Sequence, residues 1–223
     1  METMLSLALA IFMNHSPEPL QAPSMEPVRT MMQRAVEDGV FPGGVLLIRY
    51  RGEVIFREAF GLASLIPERT PMTVGTLFDI ASLTKVVATT TAAMLLREQG
   101  KISLDDRLVD WIPEWGGDGK ERIAIKHLLT HSSGLVSVVR PKELVPNPDS
   151  LNPVEARQRV LEEVYRSPLA YPTGTETRYS DPGFILMEEI VERASGERFD
   201  QFCRRAIFLP LDMCETRFNP MVE

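Results

Sequence analysis

The sequence predicts an α+β fold, on three observations. An amphipathic stretch, 24–39, is followed at once by two β runs joined by a two-residue turn. From Thr76 onward the apolar segments have the length and spacing of helices, and no further convincing strand appears. The segment from Ser82 to Gln99 has no proline or glycine and stops at Gly100, which reads as a buried helix with a glycine C-cap. Two strands alone make a marginal sheet, so the antiparallel sheet reads as incomplete in this chain.

The elements follow in order. Ser24 is placed to cap a helix through Gly39, with Val28, Met31, Met32, Ala35 and Val36 as its apolar stripe. Gly43 to Tyr50 is a first strand, Arg51-Gly52 a turn, and Glu53 to Phe60 the returning strand. After the Ser82 helix, Ser103-Leu104-Asp105-Asp106 resembles a capping box leading into Trp111. Ile123 to Thr130 is a short helix ending in the loop His131 to Leu135, and 136–151 is a long irregular stretch with the make-up of a loop lining an acyl pocket. Further helices run from Asn152-Pro153 to Tyr165, from Asp181-Pro182 to Gly196, and from Arg198 to Phe208.

Residues 1–23 read as an arm or a signal-like segment. Met4 to Met13 has the size of a signal core and is too short to span a membrane. Glu2 stands where a signal places Lys or Arg, and no small-x-small site follows the run before Pro17, which tips the reading from export towards the cytoplasm. The remainder reads as one partial domain, 24–75 forming the helix and hairpin and 76–223 the helical part.

With 223 residues, 44% hydrophobic and 25% charged, the chain is long enough for a real core. Its net charge of -7 argues against nucleic acid as a partner. Two cysteines, Cys203 and Cys214, make no disulfide framework or metal cluster and read as small core residues.

Chemistry concentrates at Ser82-Leu83-Thr84-Lys85. Three residues is roughly one helical turn, so the Lys85 amine is in reach of the Ser82 oxygen. A serine hydroxyl needs a base, and a lysine serves as one when burial lowers its pKa. Taken alone, the tetrapeptide reads as a capping serine beside a solvated lysine, and the rest of the chain has to overturn that reading. A second signal is Tyr179-Ser180-Asp181, just before a helix, where a phenol can relay protons. No Gly-x-Ser-x-Gly elbow is present, and a triad through His131 is the weaker reading, since His131 is expected to hold its own loop.

Ser82-Leu83-Thr84-Lys85, His127 to Leu135, Tyr179-Ser180-Asp181 and Pro210-Leu211-Asp212-Met213 stand in the order and at about the spacing of the serine β-lactamase-like family. The chain resembles its class C branch, with DD-peptidases and esterases of that type. The resemblance implies a β-lactamase/transpeptidase-like fold, a helical domain packed on an antiparallel sheet. It implies acyl transfer in which Ser82 is the nucleophile, Lys85 its base and Tyr179 a proton relay, with the Ser82 N–H as an oxyanion donor and no metal or organic cofactor. Its substrates are small esters, amides, lactams or D-amino-acid peptides.

Two departures shape the expectation. Asp181 stands where the family most often has asparagine, whose amide binds the substrate's amide. An ionised carboxylate accepts but does not donate, and beside Lys85 it raises the lysine pKa, so an esterase is favoured over a β-lactamase. The family's third motif, Lys-Thr-Gly or His-x-Gly, has no match after Tyr179. The alternative is therefore a catalytically weak penicillin-binding-like binding or sensor protein, and an open sheet edge invites self-association.

Overall fold

The structure, a computed structural model, describes residues 24–117, 119–139 and 153–218. The apolar run 4–13, Asn152 and most of the irregular stretch 136–151 lie outside the described residues. The chain divides between Phe78 and Asp79 into two compact units.

The first unit holds helix α1 (Glu26–Glu37) and strands β1 (Gly43–Tyr50), β2 (Glu53–Ser64) and β3 (Thr70–Pro71), in the order β1-β2-β3. β1 and β2 pair antiparallel from Gly43 opposite Gly61 to Tyr50 opposite Glu53, with a bulge between Ile48 and Arg49. Arg51 and Gly52 turn the hairpin with φ of 52° and 89°, the left-handed pair that matches strand twist. The sequence reading ended the second strand at Phe60 and missed β3; the added length pairs Leu62 with Pro71 and Ser64 with Thr70. Proline in so short an edge strand hides that signal.

Two details of α1 also need correction. Its N-cap is Met25, with Pro27 in the first turn, and the Ser24 hydroxyl accepts only from the Glu26 N–H at 3.4 Å. Met31 is 61% exposed, because helical rotation groups Val28, Met32, Ala35 and Val36 on one face and turns Met31 away. Arg29 ties α1 to β2, donating from Nε to both oxygens of Glu58 at 2.8 and 3.0 Å, with its guanidinium 5.5 Å from the Phe56 ring centre.

The second unit is helical. A π-wound stretch, Lys85–Thr90, runs directly into α2 (Thr91–Glu98), and Gly100 closes it with φ 69° while Lys101 donates back to the Leu96 carbonyl at 2.9 Å. Then come α3 (Leu108–Trp111), a 3₁₀ turn at Lys120–Arg122, α4 (Ile125–Leu129), α5 (Pro153–Arg166), α6 (Asp181–Ser195) and α7 (Phe199–Cys203), which passes into a second π-wound stretch, Arg204–Phe208. Ser103 and Asp106 close a turn instead of starting a helix, with the Asp106 carboxylate accepting from the Ser103 N–H at 2.9 Å. The helix waits until Leu108 because Arg107 is extended and bridges Ala124.

Ala92, Ala93, Leu96, Leu128, Leu186, Met187, Ile190 and Phe202 belong to one buried cluster. Each fully buried Leu or Ile contributes about 1.5–3 kcal/mol. α5 is fastened at two places. Arg157 reaches Glu189 at 3.0 Å and Glu192 at 2.7 Å on α6, and the buried Lys120 donates to the Tyr165 carbonyl at 2.7 Å while lying over Trp115. Cys203 is buried, and burial pushes its thiol up to about 12. Cys214 is exposed, contrary to the core placement expected for both, because it follows the turn at Asp212 instead of a helix face.

Candidate active site

Ser82 sits at a sharp entry to its helix. Ala81 has φ 43°, a left-handed value costly for alanine, and the Asp79 carboxylate holds it by accepting the Ala81 N–H at 2.8 Å. The turns that follow are of the i to i+3 type: Leu83, Thr84 and Lys85 donate to the carbonyls of Ile80, Ala81 and Ser82. Such winding eclipses side chains three residues apart, so Lys85 stands directly over Ser82. The Lys85 ammonium donates to Ser82 Oγ at 3.3 Å.

Tyr179 and Asp181 arrive from a second segment. The loop His131 to Ser137 and the segment 170–181 are laced together: the N–H groups of Ala170, Gly174, Arg178 and Asp181 donate to the carbonyls of Gly134, Ser132, His131 and Ser137, all at 2.8–2.9 Å. The Ser180 hydroxyl donates to the Val136 carbonyl at 2.8 Å and caps α6 by accepting from the Gly183 N–H. Gly134, at φ 92°, lets the loop and the segment close on each other, since a Cβ there would stand 2.3 Å from the Tyr171 carbonyl oxygen.

The structure brings all four candidate residues to one point. The Tyr179 hydroxyl is hydrogen-bonded to Ser82 Oγ at 2.6 Å, and Lys85 Nζ pairs with Asp181 Oδ1 at 2.7 Å. The Lys85 ammonium also lies 4.9 Å from the Tyr179 ring centre and 5.7 Å from that of Phe184. Ser82 and Tyr179 are open to solvent, whereas the Lys85 side chain is only 16% exposed. Burial pulls the Lys85 pKa down, but the hydrogen bond and charge of Asp181, helped by Tyr179, outweigh it and hold the ammonium above its ordinary range. Burial thus does not make Lys85 a ready base, as the isolated motif implied; Asp181 keeps it charged.

His131 does more than hold its own loop. Its Nδ1 accepts the Ser180 N–H at 3.1 Å, and its ring lies 4.7 Å from Tyr179 and 5.1 Å from Phe184. Desolvation, then the Lys85 charge, keep its pKa below the ordinary histidine value. His127 accepts the Ala124 N–H at its own Nδ1 and stays with α4. Sequence reasoning gave no role to Asp79 or Phe184. Asp79 had a legible signal, an aspartate two residues before the turn; Phe184 showed only as an apolar residue one turn after Asp181. Among the described residues no group of three His, Cys, Asp or Glu side chains could hold a metal ion.

Residues 28–222 match the model of the β-lactamase family. The chain belongs to the β-lactamase family. Among its relatives in that family is the N-acetylmuramyl-L-alanine amidase of Bacillus subtilis, 32% identical over 206 residues that cover 87% of this chain and 46% of the amidase. Two solved structures are similar. The octameric penicillin-binding protein homologue from Pyrococcus abyssi superimposes with a TM-score of 0.72 at 26% identity, over 86% of this chain and 44% of that one. EstCE1, a hydrolase with promiscuous acyltransferase activity, gives 0.68 at 30% identity, over 83% and 50%. The fold of this β-lactamase-family chain is thus the β-lactamase/transpeptidase-like α+β type, with a small antiparallel sheet and a set of helices. The chain spans less than half the length of the curated relatives it matches.

Proposed function

We propose that this chain carries the nucleophile-bearing part of a serine hydrolase that works through an acyl-enzyme on small ester substrates. The observation that carries the reading is the approach of Lys85, from the same turn, and Tyr179, from a distant part of the sequence, to the single oxygen Ser82 Oγ. In the minor fraction of the chain whose Lys85 is neutral, Ser82 Oγ bonds to the carbonyl carbon, the carbonyl pair moves onto oxygen, and the seryl proton passes to the Lys85 amine. The pair then returns to re-form the carbonyl, the bond from that carbon to the alcohol oxygen breaks, and Tyr179 gives its proton to the departing oxygen and recovers one from Lys85. Water then adds to the acyl-enzyme, releasing the acid and restoring Ser82. The Ser82 N–H serves as one oxyanion donor, each such donor being worth roughly 10²–10³ in rate.

Asp181 argues for the ester. Its carboxylate is engaged by Lys85 and has no proton to give to a substrate amide carbonyl, so lactam and peptide recognition lose a contact that an ester needs less. The names of the relatives, an amidase and a hydrolase with acyltransferase activity, support acyl transfer as the chemistry. β1 is the longer of the two edge strands of the described sheet and one similar structure is octameric, so self-association through that edge belongs to the same reading.

The Lys85–Asp181 pair also favours a second reading, a binding or sensor protein that acylates slowly because its base is held charged. Initial rates on p-nitrophenyl acetate, p-nitrophenyl butyrate and nitrocefin, with Ser82→Ala as control, separate the two. Ester turnover that vanishes in Ser82→Ala and exceeds nitrocefin turnover supports the esterase. Acylation without turnover favours the sensor, and nitrocefin as the better substrate contradicts the ester assignment.

A further inference from the structure

His131 is bonded to the residues on both sides of Tyr179. Its carbonyl accepts the Arg178 N–H at 2.9 Å, and its Nδ1 accepts the Ser180 N–H at 3.1 Å. Between these two anchors the Tyr179 ring faces the imidazole at 4.7 Å, with 35° between the planes. The imidazole is itself backed by Phe184 at 5.1 Å, and the Tyr171 hydroxyl donates to the His131 carbonyl at 3.2 Å. The His131 backbone is left-handed, φ 56°, a conformation an ordinary loop residue avoids. One residue thus fixes the backbone 178–180 and the face of the phenol whose hydroxyl meets Ser82.

We propose that His131 is the positioning residue for Tyr179, and that it does this only as a neutral imidazole carrying its proton on Nε2. Nδ1 must be an acceptor to hold the Ser180 N–H. A proton on Nδ1 turns that acceptor into a donor facing a donor, and places an imidazolium near the Lys85 ammonium. The groups that face the ring are Lys85 from the nucleophile helix, Tyr179 and Ser180 from the following segment, and Asp181 and Phe184 from α6. Lys85 opposes the imidazolium and Asp181 favours it, with Lys85 and desolvation prevailing. Arg178 is directed elsewhere, pairing with Glu176 and lying over Tyr171. Tyr179 placement is therefore coupled to pH on the acid side of neutrality. This inference deepens the hydrolase reading and rests on it for its effect on rate, but not for its structural content.

The test uses the 223-residue chain with ¹³C-labelled His and Tyr rings, followed by NMR from about pH 8 to about pH 5. The expected result is a Tyr179 resonance, assigned with Tyr179→Phe, that moves with the same midpoint as the His131 resonance. That coupled step should be absent in His131→Asn, which keeps an acceptor but does not titrate. Fluorophosphonate labelling of Ser82 near pH 7.5 should fall about tenfold or more in His131→Phe, which keeps a ring and loses the acceptor, and stay within about threefold of wild type in His131→Asn. A Tyr179 resonance indifferent to the His131 titration overturns the proposal, as does His131→Phe labelling at the wild-type rate. If the wild-type chain does not label at all, the hydrolase reading fails while the NMR coupling still decides this one.

Discussion

Gly134→Ala places a methyl group into the lacing that delivers Tyr179. At φ 92° a Cβ would lie 2.3 Å from the Tyr171 carbonyl oxygen, so loop and segment must part by about 1 Å to reach ordinary contact. Holding alanine in a left-handed conformation costs about 1–2 kcal/mol. Parting the two segments also weakens the Ala170 N–H bond to the Gly134 carbonyl, now 2.8 Å, at about 1 kcal/mol. The expected loss is about 2–3 kcal/mol, read from urea unfolding followed by tryptophan fluorescence. Fluorophosphonate labelling should slow in the still-folded variant, since Tyr179 belongs to the same lacing. A variant within about 0.5 kcal/mol of wild type, labelling at the wild-type rate, would refute the idea that Gly134 is needed for the close approach.

Four further expectations concern charge and association. Asp181→Asn removes the carboxylate that keeps Lys85 charged, so the rise of labelling rate with pH should move to lower pH; an unmoved profile would mean that Lys85 is not the base. The same variant should cost only about 0.5–1 kcal/mol of stability, because Asp181 is 39% exposed and the pair is partly screened. His127 and His131 both have folded pKa values held below the ordinary 6.5, chiefly by desolvation, so the unfolded chain binds more protons just below that pH. Stability should be full above about pH 6.5 and fall as the pH drops through the window beneath it, with urea midpoints as the readout; a flat or opposite trend there would contradict the neutral assignments. Light scattering should show a mass above the monomer that falls in Leu47→Lys, which charges the β1 edge, and a monomeric wild type would remove that edge from consideration.

Much of the fold was legible because it is written in local signals. The hairpin turn Arg51-Gly52, the proline at the start of α6 and the glycines ending two helices each fix a boundary by backbone chemistry alone. The misses lie where a distant partner decides. Arg107 is extended because it bridges Ala124, and β3 exists only by pairing with β2; Met31 is a local miss, one position off the apolar face that Val28, Met32, Ala35 and Val36 share. The site followed the same rule. Ser82 and Lys85 share a turn and are readable as a pair. That Tyr179 reaches Ser82 depends on hydrogen bonds between 131–137 and 170–181, and its place was foreseen only through resemblance. The roles of His131 and Phe184 depend on ring distances that no spacing encodes.

Intact mass after incubation of the 223-residue chain with a fluorophosphonate tests the central claim most directly, with Ser82→Ala, Lys85→Ala and Tyr179→Phe alongside. The account predicts one adduct on the wild-type chain, none on Ser82→Ala, and strongly slowed labelling of Lys85→Ala and Tyr179→Phe. An adduct that survives Ser82→Ala, or no adduct on a chain shown to be folded, would contradict it.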